Sequence, residues 1–319
     1  MMSRILLTGS TGFVGSALLK RLLEDKHEMV LAVRRPPGGC DPRATVRVIP
    51  GLAADTDWSE SLSEVGVVIH SAARVHVMDE TAADPLSEFR RANVEGTVAL
   101  ARQAAAAGVE RFIFISSIKV NGEGTALGKP YTTLDTPEPL DPYGISKFEA
   151  EEALKALAAE TAMEVVIIRP VLVYGPGVKA NFQSMMSWMN KGVPLPFGAI
   201  RNKRSMVALD NLVDLIVICI NHPAAANQIF LASDGEDLST TELLKRTAHA
   251  LRKPARLVPV PSGLLESAAS VLGKRSVAQR LCGSMQVDIQ HTCDTLDWKP
   301  PVSVDDALKK TADAFLARR

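Results

Sequence analysis

Cysteines, aromatic side chains, net charge and long apolar runs are all scarce in this 319-residue chain. Its four cysteines, Cys40, Cys219, Cys282 and Cys293, are scattered and show no C-x-x-C spacing. That excludes a disulfide framework, a zinc site and a redox pair, and points to free thiols in a reducing cytoplasm. Lys plus Arg and Asp plus Glu both number 36, so the formal charge is zero. Global charge therefore gives no reason to expect a nucleic-acid or anionic membrane partner. The apolar stretch LIVICI (215–220) is far too short to span a bilayer. The opening MMSRILLTGS runs straight into a glycine loop, with no cleavable h-region or A-x-A site, and does not read as a signal peptide. A cytoplasmic protein with no membrane insertion and no bound metal is expected.

At 46% hydrophobic and 23% charged, the chain is long enough for one large or two small domains. RILLT (4–8), EMVLAV (28–33), TVRVIP (45–50), VGVVIH (65–70), RFIFIS (111–116) and EVVIIR (164–169) read as strands. They are apolar throughout rather than alternating, the mark of strands covered on both faces. Helical stretches at 13–25, 86–107 and 142–161 lie between them, which predicts an α/β fold with a doubly wound parallel sheet. After Pro170 proline and glycine become dense, as in YGPGVKANF and KGVPLPFG. The expected division is a dinucleotide-binding domain over 1–170 with a return at about 205–221. A smaller interleaved C-terminal substrate domain takes 171–204 and 222–319. A ligand cleft is expected between the two.

TGSTGFVG (8–15) sets Gly9, Gly12 and Gly15 between a strand and a helix. In that context Gly9 allows a tight turn, Gly12 lets the backbone approach a pyrophosphate, and Gly15 lets the helix pack on the strand. The helix N-terminus then favours the phosphate charge. The second strand ends in AVRRPPGG (32–39), where a site for NAD would normally carry a carboxylate for the ribose 2′-hydroxyl. Arg34 and Arg35 stand there instead and suit a 2′-phosphate, so NADP(H) is expected, with NAD(H) as the other possibility. Ala72 and Ala73, at the end of the fourth strand, are small enough for a nucleotide to lie close.

DPYGISK (141–147) begins with an N-cap, Asp141, and a proline suited to the first helical position. Tyr143 and Lys147 then share a helix face, four residues apart. A nearby ammonium, and a cationic nicotinamide, favour the phenolate and lower the tyrosine's pKa. The product is an acid/base for a hydroxyl proton beside a carbon that exchanges hydride. The pair alone is a weak signal, and the order of motifs strengthens it. The glycine loop comes first, then a strand ending in Ser116 and Ser117, then Tyr143 and Lys147. Ser117 can hydrogen-bond the reacting oxygen.

These residues resemble the extended short-chain dehydrogenase/reductases, the sugar-nucleotide epimerase/dehydratase group, over nearly the whole chain. The resemblance implies a Rossmann domain and a small domain that grips a nucleotide sugar. It implies cofactor contacts from the loop residues Gly9, Thr11, Gly12, Phe13, Val14 and Gly15, and from Ser116, Tyr143 and Lys147. Asn93, in ANVEGT, matches a helix Asn that supports the site, and Ser117, Tyr143 and Lys147 match the catalytic set. For a UDP-sugar, Asn181 matches a diphosphate contact, and Leu195, Pro196 and Phe197 resemble the stretch packed on uracil. Arg204 and Arg280 match phosphate-binding arginines. Arg74, His76 and Lys119 follow strand ends beside the cleft and are candidates to face the sugar. Leu172 stands where the family often has Asn, and Asn121 where it has Tyr. A homodimer through the helices at 86–107 and 142–161 is expected by analogy.

The 4,6-dehydratases of this family need an acid and a carboxylate directly after the catalytic hydroxyl. Ile118 and Lys119 cannot serve, which leaves a 4-epimerase or a 4-keto reductase. Arg34 and Arg35 tilt the choice to reduction, since a net reductase draws on the NADPH pool. SSIKVNGE, AARVHVM (72–78) and GVKANF (177–182) look like bacterial reductases that finish UDP-N-acetyl-6-deoxyhexosamines for O-antigen and other surface polysaccharide. The expected reaction is therefore NADPH reduction of the C4 ketone of UDP-2-acetamido-2,6-dideoxy-4-hexulose. A UDP-glucose or UDP-GlcNAc 4-epimerase, and an NADPH reductase of a non-sugar ketone, remain alternatives.

Overall fold

The computed structural model describes residues 4–36, 39, 41–75, 84–271, 273 and 275–318. Its centre is a seven-stranded sheet in the order β3-β2-β1-β4-β5-β6-β9, with every pairing parallel. The strands are β1 (Arg4–Thr8), β2 (Met29–Val33), β3 (Ala44–Val48), β4 (Val65–His70), β5 (Arg111–Ile115), β6 (Glu164–Pro170) and β9 (Ile229–Ala232). Six of the seven are the strands expected from the apolar runs. The order reverses between β1 and β4, and their carboxyl ends form the crevice where ligands bind in open α/β sheets.

Successive residues of each strand enter opposite cores, because side chains alternate across a sheet. Ile5 and Leu7 of β1 join one core with Leu18 and Leu22 of α1 (Phe13–Glu24) and Leu212 and Ile216 of α7 (Leu209–Asn221). Leu6 of β1 and Phe112 and Phe114 of β5 join the other, with Leu100 and Ala104 of α4 (Gly96–Ala106) and Leu154 of α5 (Pro142–Glu160). This double coverage explains why the inner strands carry no polar alternation; the edge strand β3, ATVRV, has no buried residue and does alternate, against the expectation of an apolar run. A short α2 (Ser59–Leu62) precedes β4.

The helix expected over 86–107 is interrupted. It runs as α3 (Pro85–Arg90), a wider π-helical turn at Arg91–Glu95, and then α4. A π-turn inserts one residue into the helical phase, and here Asn93 lies within it and is buried.

A second, three-stranded sheet begins directly after the carboxyl end of β6. Here β8 (Arg204–Ala208) pairs in parallel with β7 (Leu172–Tyr174) and antiparallel with β10 (Asp237–Leu238). Around it pack α6 (Ala180–Asn190), α8 (Thr240–Ala250) and α12 (Val304–Ala317), sharing a third core with Tyr174, Phe182, Met186, Leu244 and Leu308. The remaining helices are α9 (Ser262–Val271), α10 (Arg275–Cys282) and α11 (Gln290–Leu296). β9 belongs to the large sheet although it falls within 222–319, and the chain returns to the first layer after Pro170 with α7, with β9 and again with the 285–298 segment that carries α11. Among the described residues, no helix is long and apolar enough to cross a membrane.

Candidate active site

The glycine loop is shaped by close approach. Gly9 adopts φ +76°, and a Cβ there would meet the Ala72 backbone nitrogen at 2.7 Å. A Cβ on Gly15 would fall 2.1 Å from the Gly9 carbonyl oxygen, so only glycine lets α1 start this near β1. Gly12 is the N-cap of α1 and supplies no side-chain cap, which leaves first-turn N–H groups facing the loop. The Ser10 hydroxyl is buried and, among the described residues, has no hydrogen-bond partner. Thr11 and Gly12 are exposed, and Phe13 and Val14 are half-buried. A cradle that a Cβ would fill, at a bare helix N-terminus, fits the pyrophosphate of a dinucleotide.

The end of β4 closes on this loop. The Ala72 N–H donates to Thr8 Oγ1 at 3.2 Å, and Ser71 Oγ donates to the Thr8 carbonyl at 2.7 Å. Ala73 is half-buried beside them. His70 lies wholly inside, with Nδ1 2.7 Å from Thr8 Oγ1 and Nε2 3.0 Å from Thr97 Oγ1. Burial, assisted by the Lys147 charge, pushes its pKa down to about 3 and keeps the ring neutral. Arg34 and Arg35 are exposed directly after β2.

Tyr143 sits in the first turn of α5, where Asp141 Oδ1 caps the helix by accepting the Gly144 N–H at 2.6 Å. Its hydroxyl lies close enough to the Ser117 side chain for that serine to favour the phenolate. Ser117 Oγ also accepts the Lys119 N–H at 3.3 Å. Lys147, four residues on, is buried; its Nζ donates to the Ile115 carbonyl at 2.7 Å and lies 4.2 Å from the centre of the Phe114 ring. The structure thus gathers Ser117, Tyr143 and Lys147 at the carboxyl end of β5.

The electrostatics differ from the expectation that Lys147 lowers the Tyr143 pKa. Burial, and then the Asp141 carboxylate, push the phenol up to about 12, with the Ser117 hydrogen bond pulling the other way. Burial pushes Lys147 down to about 7, against the raising effect of Glu151. The physical reason is that the lysine head is turned into the sheet, onto a carbonyl and a ring face, and out of water.

Behind these groups lies a polar network that the sequence reading missed. Glu151, one turn beyond Lys147, is fully buried and accepts from Ser116 Oγ and from Arg169, whose Nη2 approaches its Oε2 to 2.5 Å. Arg169 Nη1 donates to Asn121 Oδ1 at 3.0 Å, which gives a role to the position where the family pattern has Tyr. Asn93 Oδ1 accepts the Arg74 N–H at 2.8 Å, and its amide donates to the Arg74 carbonyl and to Ser146 Oγ, each at 3.0 Å. Ser146 Oγ in turn donates to the Tyr143 carbonyl at 2.8 Å. The available signal was spacing: Glu151 lies four residues after Lys147, on the same helix face.

The candidate sugar-facing residues are more dispersed. Lys119 Nζ is held between Asp141 and Glu123, the latter at 3.0 Å. The Arg74 guanidinium lies 5.5 Å from the centre of the Phe89 ring, which meets Tyr143 edge-on at 6.1 Å. His76 lies outside the described residues. Leu172 is exposed at the start of β7. Asn181 is exposed in the first turn of α6, and Arg280 is exposed on α10. Arg204 is half-buried and bonds the Gly283 carbonyl at 3.1 Å, and burial lowers its pKa. Leu195 is buried, paired through its backbone with Arg256 and Val258, whereas Phe197 is half-buried on the same segment.

Comparison with known proteins decides the lineage. The profile of the NAD dependent epimerase/dehydratase family matches residues 5–232. The chain belongs to that family. It is 53% identical to a UDP-glucose 4-epimerase from Vibrio cholerae, over 99% of this chain and 96% of that protein. A solved UDP-glucuronic acid 4-epimerase from Bacillus cereus in complex with NAD superposes with TM-score 0.79 at 21% identity, covering 99% of each chain. The UDP-glucose 4-epimerase of Thermotoga maritima, solved with UDP-glucose, gives 0.76 at 22%, again covering 99% of each. The last two establish the Rossmann-like α/β fold expected from the sequence.

The Vibrio relative overturns the expectation of a 4-keto reductase. The physical reason is that a Ser, Tyr and Lys set able to exchange a hydroxyl proton suits reduction and epimerisation of a C4 centre alike. Whether the hydride is returned to the sugar it came from is not written in those residues. Arg34, Arg35 and short resembling phrases therefore carried more weight than they could bear.

Proposed function

We propose that this protein is a UDP-hexose 4-epimerase, acting on a substrate of the UDP-glucose or UDP-N-acetylglucosamine type in the cytoplasm. The observation that carries the reading is full-length likeness at 53% identity to a UDP-glucose 4-epimerase. The cleft is consistent with it, because Ile118 and Lys119 offer no acid pair for elimination of water. When bound, a nicotinamide dinucleotide supplies an acceptor for the C4 hydride and later the donor that returns it. Gly9, Thr11, Gly12, Phe13, Val14 and Gly15 would hold its pyrophosphate, with Ala72 and Ala73 leaving room and Ser116 and Asn93 bracing the wall.

In this reading Tyr143 Oη takes the O4 proton as C4 becomes a ketone and gives it back when C4 is reduced on the other face. Ser117 Oγ already accepts the Lys119 N–H, so its own hydrogen is directed to Tyr143 or to O4. Lys147 holds the nicotinamide ribose. A cationic ring beside the buried phenol lowers its raised pKa toward the working range. Asn181, Arg204 and Arg280 carry the diphosphate, and Leu195 backs Phe197 against the uracil. Residues 1–170 with 205–221 then form the cofactor domain, and 171–204 with 222–319, apart from strand β9 and the 285–298 segment packed with it, form the sugar domain. Arg34 and Arg35 favour a 2′-phosphate, so NADP(H) is the finer proposal for the cofactor. A homodimer through α4 and α5 completes the reading.

The test is incubation with UDP-glucose, UDP-galactose and their N-acetylated forms, followed by NMR of the anomeric protons. Inversion at C4 is expected without net change in reduced nicotinamide, and Tyr143→Phe should lose about 10²–10⁴-fold in turnover. Failure to invert any of the four sugars would sink the proposal. Titration with NADP⁺ against NAD⁺ separately tests the two arginines.

A further inference from the structure

The charge balance of the whole chain conceals a local excess. Residues 251–282 hold Arg252, Lys253, Arg256, Lys274, Arg275 and Arg280 against one acid, Glu266, in a protein whose overall charge is zero. Within this stretch α9 buries none of its residues. Leu264, Ala268 and Val271 fall at i, i+4 and i+7, a single stripe along the helix. All three are exposed, Leu264 by 63% and Val271 by 88%. Leu265 and Ala269, on the other side, are half-buried. One exposed stripe of α9 is thus apolar, beside the exposed Glu266, Ser267 and Ser270 of the same helix.

The run that precedes α9 in the chain, and the segment bonded to it, add exposed apolar and basic residues. The Leu195 N–H donates to the Arg256 carbonyl at 2.9 Å, and the Val258 N–H to the Leu195 carbonyl at 2.8 Å, which ties the basic run 252–256 to the 188–198 segment. Arg256 also donates to the Gly192 carbonyl at 3.3 Å. On these segments Trp188 and Val193 are exposed, as are Arg252, Lys253, Arg256 and, just beyond, Val258; Arg252 pairs with Asp313 at 3.8 Å.

A second copy of the chain does not suit this face. A two-fold contact would set the same basic patch against itself, and like charges repel. Nucleic acid would meet the basic residues but leave the apolar stripe uncovered. An anionic bilayer satisfies both: Lys and Arg meet the headgroup phosphates, while Leu and Val enter the acyl boundary and Trp sits at the interface. We propose that α9 and the flanking basic run 252–256 form a peripheral docking face for an anionic lipid bilayer. It does not depend on the epimerase reading.

The test is co-sedimentation with vesicles of phosphatidylcholine alone and with about one-third phosphatidylglycerol, at low and high salt. Binding is expected only with phosphatidylglycerol, and it should weaken at high salt. Replacing Arg252, Lys253 and Arg256 by Gln should weaken binding about five-fold per charge. The double variant Leu264→Glu/Val271→Glu should lose binding, with its circular dichroism and thermal midpoint unchanged. Absence of phosphatidylglycerol-dependent binding overturns the proposal, as does unaltered binding by the double variant. So does a wild-type oligomer that ignores vesicles and dissociates in that variant, which would assign the face to a second copy.

Discussion

Tyr143 is pulled in opposite directions by its neighbours. Burial and the Asp141 carboxylate favour the neutral phenol, and the Ser117 hydrogen bond favours the phenolate. Asp141 also caps α5 and holds Lys119. Asn caps a helix about as well as Asp, so Asp141→Asn removes the charge and keeps the cap. In the proposed mechanism the phenolate is the base, so a lower phenol pKa increases its fraction at a given pH. The rise of kcat/KM with pH should therefore move to lower pH in Asp141→Asn; an unmoved or upward-shifted limb would show that Asp141 does not tune the phenol. The Tyr143, Lys147 and Asp141 positions were legible because a helix start has a local chemical signature. The direction of the tyrosine's shift was not, since it depends on where the lysine head turns, and only packing against β5 sets that.

Among the elements, α5 and β6 are joined by the pair Glu151–Arg169, which is almost wholly removed from water. Charges so placed are costly to leave alone, and deleting one partner costs about 3–5 kcal/mol, whereas an apolar pair of similar volume is often neutral. Glu151→Gln should accordingly lower the denaturation midpoint strongly. Replacing both residues by Met should recover most of the loss, while turnover stays low because Ser116 loses its acceptor. A midpoint in the double variant as low as in Glu151→Gln would contradict this. Strands β1, β2, β4, β5 and β6 could be read as apolar runs, and β3 as a short β-branched one broken by Arg47. The strands β7, β8 and β10 could not, because they are short and pair with one another across long sequence separations. Nor could Glu151 and Arg169, since a charged residue gives no sign in sequence that it is buried. The residues expected to meet the diphosphate, Asn181, Arg204 and Arg280, were named through family likeness and lie on three separate elements.

At the scale of the whole molecule, the neutral His70 at the centre of the large sheet links folding to acidity. Its folded pKa, about 3, lies below the ordinary value of 6.5. Between those values the unfolded chain binds a proton that the folded chain refuses. Stability therefore falls as pH drops from about 6.5 toward 3, by up to about 1.4 kcal/mol per pH unit. Above about 6.5 both states are neutral and the contribution vanishes. Chemical denaturation across pH 4–7 should show this slope, and His70→Gln, which cannot titrate, should flatten it; equal slopes in the two proteins would assign the acid sensitivity elsewhere.

The π-turn at Arg91–Glu95 is a misfit retained for its side effect. Deleting Ala92 would restore regular winding and give a more perfect rod, yet each residue of an α-helix advances about 100°. Asn93 would swing off the Arg74 backbone and Ser146, and the support under Tyr143 would go with it. A repair that tidied the helix would thus disarm the cleft, so an engineer seeking sturdier variants of this chain should leave that irregularity alone.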